Sequence, residues 1–183
     1  MEKTLEQYDR QLAHCKDIFL KKTKDYGTAW RILRTSSLTD QLYIKAKRIR
    51  GLEQNQEQKV AESADVEYVG LVNYSLMALI QLSLPEDAPL EMEAKEVEQL
   101  YEQFAAQTRQ LMINKNHDYG EVWREMRISS LTDLILMKLL RVKQIEDNQG
   151  ATLISEGLEA NYMDIINYAI FALIKLEDQN LDH

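Results

Sequence analysis

The feature that most constrains the fold of this chain is an internal repeat. The segment KTKDYGTAW at residues 22–30 returns 93 positions later as KNHDYGEVW at residues 115–123. About half of the residues in 22–53 recur in 115–146, including the whole run SSLTD. After one inserted residue, the agreement continues to Asn73-Tyr74 and Asn167-Tyr168. Agreement of this length at a fixed spacing indicates a tandem duplication, so the chain is predicted to fold as two similar units.

The two prolines of the chain mark the junction between the copies. Pro85 and Pro89 both lie in the segment SLPEDAPLE. Proline lacks a backbone N–H and ends helices, so it favours a connector. We therefore predict unit 1 over residues 1–84, a connector over 85–89 and unit 2 over 90–183, together forming one compact structure. Duplicated units commonly pack about a pseudo-twofold axis, as the subunits of a homodimer do.

Apolar residues recur at helical spacing in both copies, and no alternating strand pattern is present, so we predict an all-α fold with about four helices per unit. The first helix ends near the Asp-Tyr-Gly turn, and a short helical piece follows around the tryptophan. The run SSLTD opens a longer helix, where Ser37 and Ser130 fit the first position of a capping box. The last helices are predicted over 58–82 and 152–176, and the run YMDIINYAIFALIKL should be buried.

Composition and charge limit the classes of function. The net charge is −8 and the pI is about 5.0, so the surface repels nucleic-acid phosphates and disfavours DNA binding, although residues 31–50 are locally basic. The single cysteine, Cys15, cannot form an internal disulfide. The start lacks the apolar core of a signal peptide, and no apolar run reaches membrane-spanning length. These features predict a cytoplasmic protein that does not insert into a membrane.

Several polar residues fall on one face of the predicted last helix of unit 2. At about 100° per residue, Asn167 lies within about 20° of Glu156, with Glu159 about 60° to one side and Asp164 about 80° to the other. A carboxylate in an apolar helix needs a cation, a metal or several hydrogen-bond donors. Gly70 stands in unit 1 where unit 2 has Asp164, so the second centre carries one more carboxylate.

The cations of the preceding helix leave two interpretations open. Lys138 and Arg141 lie three residues apart and share a helix face. They could pair with the acids in a salt-bridge network that fixes the register of the helices. Alternatively, they hold a phosphate while Glu156, Glu159 and Asp164 hold Mg²⁺.

The Asp-Tyr-Gly turn also has a structural and a functional interpretation. Its glycine permits the positive φ at which helices end, and the aromatic residues can be packing anchors. The copies also share cations, an acid and aromatic residues around the turn, a combination that suits a nucleobase and its phosphates. In unit 2 these residues are Lys115, Asp118, Tyr119, Trp123, Arg124 and Arg127.

The pattern K-x-x-D-Y-G-x-x-W, followed by K-x-x-R and by E-x-x-E with D-I-I-N-Y-A, resembles the nucleotide-modification-associated domain, type one, a family of bacteria and phages. The resemblance spans nearly the whole chain, once per unit, and is most complete in unit 2. It implies a role in the synthesis or handling of modified nucleotides. The helical layout is more distantly similar to the MazG-like all-α nucleoside triphosphate pyrophosphohydrolases, which hold Mg²⁺ with E-x-x-E and E-x-x-D pairs. Lys138-x-x-Arg141 stands here where the first of those pairs is expected.

Two hypotheses from different classes follow. In the first, the chain binds a nucleotide and could act on it as a metal-dependent phosphohydrolase. Lys138, Arg141 and Asn167 would then contact the phosphate, and Tyr119 and Trp123 would flank the base. In the second, the chain is a non-catalytic helical scaffold or protein-interaction module with buried ion pairs. The sequence leaves open whether the protein is an enzyme, and homo-oligomerisation is a further expectation.

Overall fold

A computed structural model of the chain describes residues 1–54, 63–149 and 157–183. The described residues form six α-helices and two short 3₁₀ helices, and they contain no β-strand. Each unit has the order long helix, 3₁₀ helix and two further helices, which confirms the predicted all-α duplicated fold. The helices are α1 Glu2–Tyr26, α2 Thr35–Gln54, α3 Ala64–Ser83, α4 Ala94–Tyr119, α5 Ile128–Asp147 and α6 Leu158–Leu181, with 3₁₀ helices at Ala29–Ile32 and Val122–Arg124.

The glycine of each Asp-Tyr-Gly turn ends the first helix of its unit. Gly27 has φ 63° and Gly120 has φ 72°, in the region that residues with a Cβ rarely adopt. The turn redirects the chain into the 3₁₀ helix that carries Trp30 or Trp123. The structural interpretation of the glycine therefore holds in both copies.

The core lies where α3 packs against α6, with α2 packed against α5 beside it. Most of α6 from Asn161 to Ile174 is buried, as predicted for the apolar run in this helix. None of the described helices has the length and apolar character needed to cross a membrane.

Equivalent residues of the two units exchange the same hydrogen bonds. The hydroxyl of Tyr8 on α1 donates to Asn167 Oδ1 on α6 at 2.7 Å, and that of Tyr101 on α4 donates to Asn73 Oδ1 on α3 at 2.8 Å. In each case, the first helix of one unit reaches the last helix of the other. This reciprocity is the signature of a pseudo-twofold arrangement, in which one chain imitates a homodimer.

A second pair of contacts follows the same symmetry. Tyr162 on α6 and Thr39 on α2 have their hydroxyl oxygens 2.6 Å apart, and those of Tyr68 on α3 and Thr132 on α5 are 2.7 Å apart. All four residues are buried, so these polar groups have partners where water cannot supply them. The interface between the units is therefore held by paired polar contacts as well as by apolar packing.

The predicted starts of the last helices, at residues 58 and 152, cannot be compared with the structure, which describes these helices from Ala64 and Leu158. The helices α3 and α6 begin at Ala64 and Leu158, after the extended residues Ser63 and Gly157. Serine and glycine favour this flanking position, and apolar periodicity alone does not reveal it. Residues 58–62 and 152–156, which the prediction had included, lie outside the described residues.

The predicted capping boxes are wrong. Helix α2 begins at Thr35, and α5 begins at Ile128 without a side-chain hydrogen bond at its cap. The Leu38 amide already bonds to the Arg34 carbonyl at 3.0 Å, so the helix has formed its first turn before a cap at Ser37 could act. The SSLTD runs lie within the first turns of these helices.

Candidate functional site

The centre predicted in unit 2 is an ion-paired cluster around Asp164. Lys115 Nζ on α4 lies 2.7 Å from Asp164 Oδ1, and Lys138 Nζ on α5 lies 2.9 Å from Oδ2. The Asp164 residue is 3% exposed. Three helices thus meet at one buried carboxylate, whose charge is compensated by two ammonium groups.

The amide of Asn167 is engaged by other parts of the core. Its Oδ1 accepts the Tyr8 hydroxyl, and its Nδ2 donates to the Thr108 carbonyl at 3.2 Å. Asn73 in unit 1 repeats this arrangement, donating to the Cys15 carbonyl at 3.0 Å. Burial raises the pKa of the Cys15 thiol to about 12, so this cysteine is protonated and unreactive.

Trp123 is buried and covered by its own neighbours. Its ring stacks on Phe171, with the centroids 4.2 Å apart and the planes 3° from parallel. The Arg124 guanidinium lies 4.4 Å from the Trp123 centroid and also donates to Thr4 Oγ1 and Gln7 Oε1. The Trp123 ring is therefore used in packing and does not present a free face to a nucleobase.

The remaining residues predicted for the site lie at the surface or outside the described part of the chain. Glu156 lies outside it. Among the described residues of the predicted set, Lys115 and Lys138 pair with Asp164, whereas Arg124 pairs with Glu121 and Asp178, which were not predicted. The predicted site residues that are exposed at the surface are Asp118, Tyr119, Arg127, Arg141 and Glu159.

The part of the chain that the structure describes does not form a metal centre. Both carboxylate oxygens of Asp164 face ammonium groups, and Glu159 is exposed. Across residues 1–54, 63–149 and 157–183, no three His, Cys, Asp or Glu side chains are grouped to hold an ion. The Mg²⁺ prediction now depends on Glu156, and we derive no chemical step through a metal.

The equivalent region of unit 1 is a cavity of 320 Å³ between α1, α2 and α3. It is lined by the counterparts of several residues predicted for unit 2, together with residues that the prediction had not singled out. The counterparts are Lys22, Tyr26, Trp30, Lys45, Asp65, Gly70 and Asn73, and the added residues include His14, Tyr74 and Met77. We call this the unit 1 cavity.

Two substitutions between the copies distinguish the unit 1 cavity from the equivalent region of unit 2. A Cβ atom on Gly70 would lie 2.9 Å from Lys45 Cδ, so the lysine side chain packs over bare backbone where unit 2 has the Asp164 side chain. Met77 stands where unit 2 has Phe171, and the flexible methionine cannot stack on Trp30 as a ring can. Trp30 instead lies 6.5 Å from the Phe19 centroid at an angle of 56°.

The charges of unit 1 are also arranged differently. The buried Glu67, which occupies the position of Asn161, binds Arg48 at 3.0 Å and Lys45 at 3.6 Å. Lys22 is exposed at the cavity and has no ion-pair partner among the described residues. In the described part of unit 1, the ammonium group of Lys22 has no carboxylate partner, whereas both lysines of unit 2 are paired with Asp164.

The comparisons with known proteins identify the repeated unit. A family model described as nucleotide modification associated domain 1 matches residues 22–82 and again residues 115–176. The matched segments coincide with the two copies and cover more than half of the chain. No curated protein and no solved structure matched, and the similarity to MazG-like enzymes stays a prediction. The chain therefore belongs to the nucleotide modification associated domain 1 family, whose domain it contains in two copies.

Proposed function

We propose that the chain binds a nucleotide in the unit 1 cavity and that unit 2 is its closed structural counterpart. One observation carries the proposal. In unit 2, the Asp164 carboxylate lies between Lys115 and Lys138, whereas in unit 1 the equivalent lysines line a cavity and a glycine replaces the acid. Because the Lys45 side chain lies over Gly70, an external anion such as a phosphate would bind in the cavity beside Lys22 and Lys45 and not at the exact position of the Asp164 carboxylate.

The rest of the unit 1 cavity suits the aromatic part of a nucleotide. Trp30, Tyr26 and Tyr74 line it, and Lys45 Nζ lies 5.2 Å from the Tyr74 centroid. Aromatic rings beside ammonium groups are a common surface for a base and its phosphate. The cavity volume of 320 Å³ falls at the lower end of the range, about 300–1,000 Å³, typical of small-molecule sites. Membership of a nucleotide-associated family supports the same class of ligand.

Hydrolysis of the nucleotide would be a narrower form of this proposal. It requires metal ligands or a general base from residues such as Glu156, which the structure does not describe. Release of phosphate or pyrophosphate from each nucleotide, measured with and without Mg²⁺, distinguishes a phosphohydrolase from a protein that only binds.

A thermal-shift screen tests nucleotide binding directly. Ribo- and deoxynucleoside mono-, di- and triphosphates would be added with and without Mg²⁺ or Mn²⁺, because a ligand of the native state raises the melting temperature by mass action. For each ligand that binds, the Kd of the Lys22→Ala variant should be about tenfold higher than that of the wild-type protein, as expected for loss of one charged contact.

The matched control for this variant is Lys24→Ala. Lys24 is an exposed cation on the same helix that does not line the cavity, and its removal changes the net charge equally. A screen without any shift, or equal Kd values for the two variants, would contradict the proposal.

The second candidate function is a non-catalytic scaffold. The observation in its favour is that Asp164 and Glu67 are each buried against two cations, so these charges have internal partners without a ligand. This function predicts no nucleotide effect on melting, together with a loss of stability when either acid is neutralised.

A further inference from the structure

A second cavity of 490 Å³ adjoins the unit 1 cavity. It lies between α1, the start of α3 and the end of α6. Three residues line both cavities, namely His14, Asp65 and Val69. His14 and Asp65 are exposed, so the boundary between the cavities is a rim at the surface rather than a buried wall.

One face of α1 runs past both cavities. Tyr26, Lys22 and His14 line the unit 1 cavity, and His14 and Gln11 line the second cavity. With Ile18, which also lines the unit 1 cavity, these residues recur every three or four positions and share one helix face, and at 1.5 Å per residue they extend over about 22 Å. The order along this face is an aromatic ring, an ammonium group, the rim and then an amide.

The second cavity has the chemistry of a site for hydroxyl groups. Gln11 and Asn180 provide amides that can both donate and accept hydrogen bonds, while Leu173 and Leu176 provide an apolar surface. The charge of Glu177 is compensated by Arg10, which donates to it at 3.0 and 3.1 Å. No lysine or arginine lines this cavity among the described residues, so a further phosphate would lack a cation there.

The second cavity also depends on the asymmetry of the chain. Helix α6 continues to Leu181, whereas its counterpart α3 ends at Ser83, the position equivalent to Glu177. Asn180 and Leu181 line the cavity from this additional turn. Because α3 has no such turn, unit 1 provides no counterparts of Asn180 and Leu181 from its own last helix. These two residues therefore line a cavity only beside the unit 1 cavity.

We infer, on the basis of the proposed function, that the ligand is a nucleoside diphosphate esterified to a neutral, hydroxyl-rich group such as a sugar. The base lies near Tyr26 and Trp30, the diphosphate lies at Lys22 and Lys45, and the sugar passes the rim into the second cavity. Binding of the sugar there makes Gln11 and Asn180 determinants of specificity.

Calorimetric titration with matched pairs of ligands tests this inference. The pairs are UDP and UDP-glucose, GDP and GDP-mannose, and ADP and ADP-ribose, each measured on the full chain. For at least one pair, the sugar ester should bind about tenfold more tightly than its diphosphate, as one or two additional hydrogen bonds would give. The Asn180→Ala variant should remove most of this gain and leave the affinity for the free diphosphate unchanged. Asn180 is exposed, so this variant is expected to fold.

A second variant, Leu176→Trp, fills the second cavity and should have the same selective effect. Equal affinities for diphosphate and sugar ester in the wild-type protein would overturn the inference and leave nucleotide binding intact. The same conclusion follows if both variants weaken the two ligands equally. Absence of binding by every ligand of the panel would overturn the inference together with the proposed function.

Discussion

At the scale of single residues, the pair Gly70 and Asp164 separates the two units. The buried carboxylate of Asp164 joins three helices through two lysines, whereas Gly70 lets the side chain of Lys45 lie over the backbone. The same position thus serves packing in one copy and leaves a cavity in the other. Each role makes a separate prediction.

Neutralising Asp164 should destabilise the protein. Asp164→Asn leaves two ammonium groups without their counter-ion, and we expect a loss of about 2 kcal/mol in the free energy of unfolding. This lies below the 3–5 kcal/mol typical of fully buried pairs, because the Lys115 side chain is 42% exposed. Urea unfolding measures the change, with the exposed Asp118→Asn as a control of equal charge. Equal stability of the two variants would show that the ion pairs do not hold the helices together.

Placing a carboxylate at position 70 should weaken nucleotide binding. Gly70→Asp puts an acid beside Lys45, where it competes with the phosphate for the ammonium group, and we expect at least about a tenfold rise in Kd. Gly51→Asp is the matched control, because Gly51 is also helical and has open space around it. Nucleotide affinity measured by calorimetry should fall only in the first variant. If Gly70→Asp bound as tightly as Gly51→Asp, the phosphate would not lie at Lys45.

Sequence reasoning found these residues but assigned them incompletely. The repeat shows that Gly70 replaces an acid. Because the prediction took carboxylates as the essential residues of a site, it favoured a site in unit 2 over one in unit 1. The sequence does not show that Glu67, one turn earlier, supplies the missing charge, or that Lys22 has no ion-pair partner within residues 1–54, 63–149 and 157–183. Those facts depend on which side chains meet across helices. A comparison of side-chain size between the copies, such as Met77 against Phe171, was the available signal for the cavity.

At the scale of helices, reciprocal hydrogen bonds join the units. Burial raises the pKa of Tyr8 and of Tyr101, so both hydroxyls stay protonated and donate to Asn167 and Asn73. Helical periodicity predicted that these faces would be buried. It could not pair α1 with α6 or α4 with α3, because periodicity describes one helix at a time.

Removing either tyrosine hydroxyl should cost a similar amount of stability. Tyr8→Phe and Tyr101→Phe each leave a buried amide oxygen without its donor, which costs about 1–3 kcal/mol. Pseudo-twofold symmetry predicts that the two values agree within about 1 kcal/mol. Urea unfolding measures both, with the exposed Tyr26→Phe as the control. A large cost for one variant and none for the other would mean that the two contacts are not equivalent.

Glu146 on α5 gives a pH-dependent prediction. Burial raises the pKa of this carboxyl, and a hydrogen bond from Thr39 partly opposes the rise. The folded pKa then lies above the unfolded pKa, so ionisation destabilises the native state at neutral pH, and this cost is lost as pH falls through the folded pKa. Glu146→Gln should therefore raise the melting temperature near neutral pH.

The advantage of Glu146→Gln over the wild-type protein should shrink as the solution is acidified. Thermal melts at about pH 7 and about pH 4 test the trend, since the ordinary pKa of glutamate lies near 4.3. Its counterpart Glu53 is exposed and accepts a hydrogen bond from Thr132, so Glu53→Gln serves as the control. An advantage that stays constant with pH would show that burial of the charge is not its cause.

At the scale of the whole molecule, the chain is a pseudo-dimer whose halves have diverged. The duplication could be predicted because it left matching residues at a fixed spacing, and the all-α class followed from the helical spacing of the apolar residues. The helix starts at Ala64 and Leu158 were not predicted, because apolar periodicity does not reveal the flanking positions of Ser63 and Gly157. The difference between a closed and an open centre arises from a few substitutions in an otherwise conserved framework of helices.

The two tryptophans provide the most direct measurement of this difference. The chain has two tryptophans, Trp30 lining the unit 1 cavity and Trp123 buried against Phe171. Trp123→Phe leaves Trp30 as the only indole fluorophore, and Trp30→Phe leaves only Trp123. Each variant would be titrated with the common ribo- and deoxynucleotides while its tryptophan emission is recorded. We predict a saturable change in the protein that retains Trp30 and none in the protein that retains Trp123. A response only from Trp123, or from neither, would contradict nucleotide binding in the unit 1 cavity.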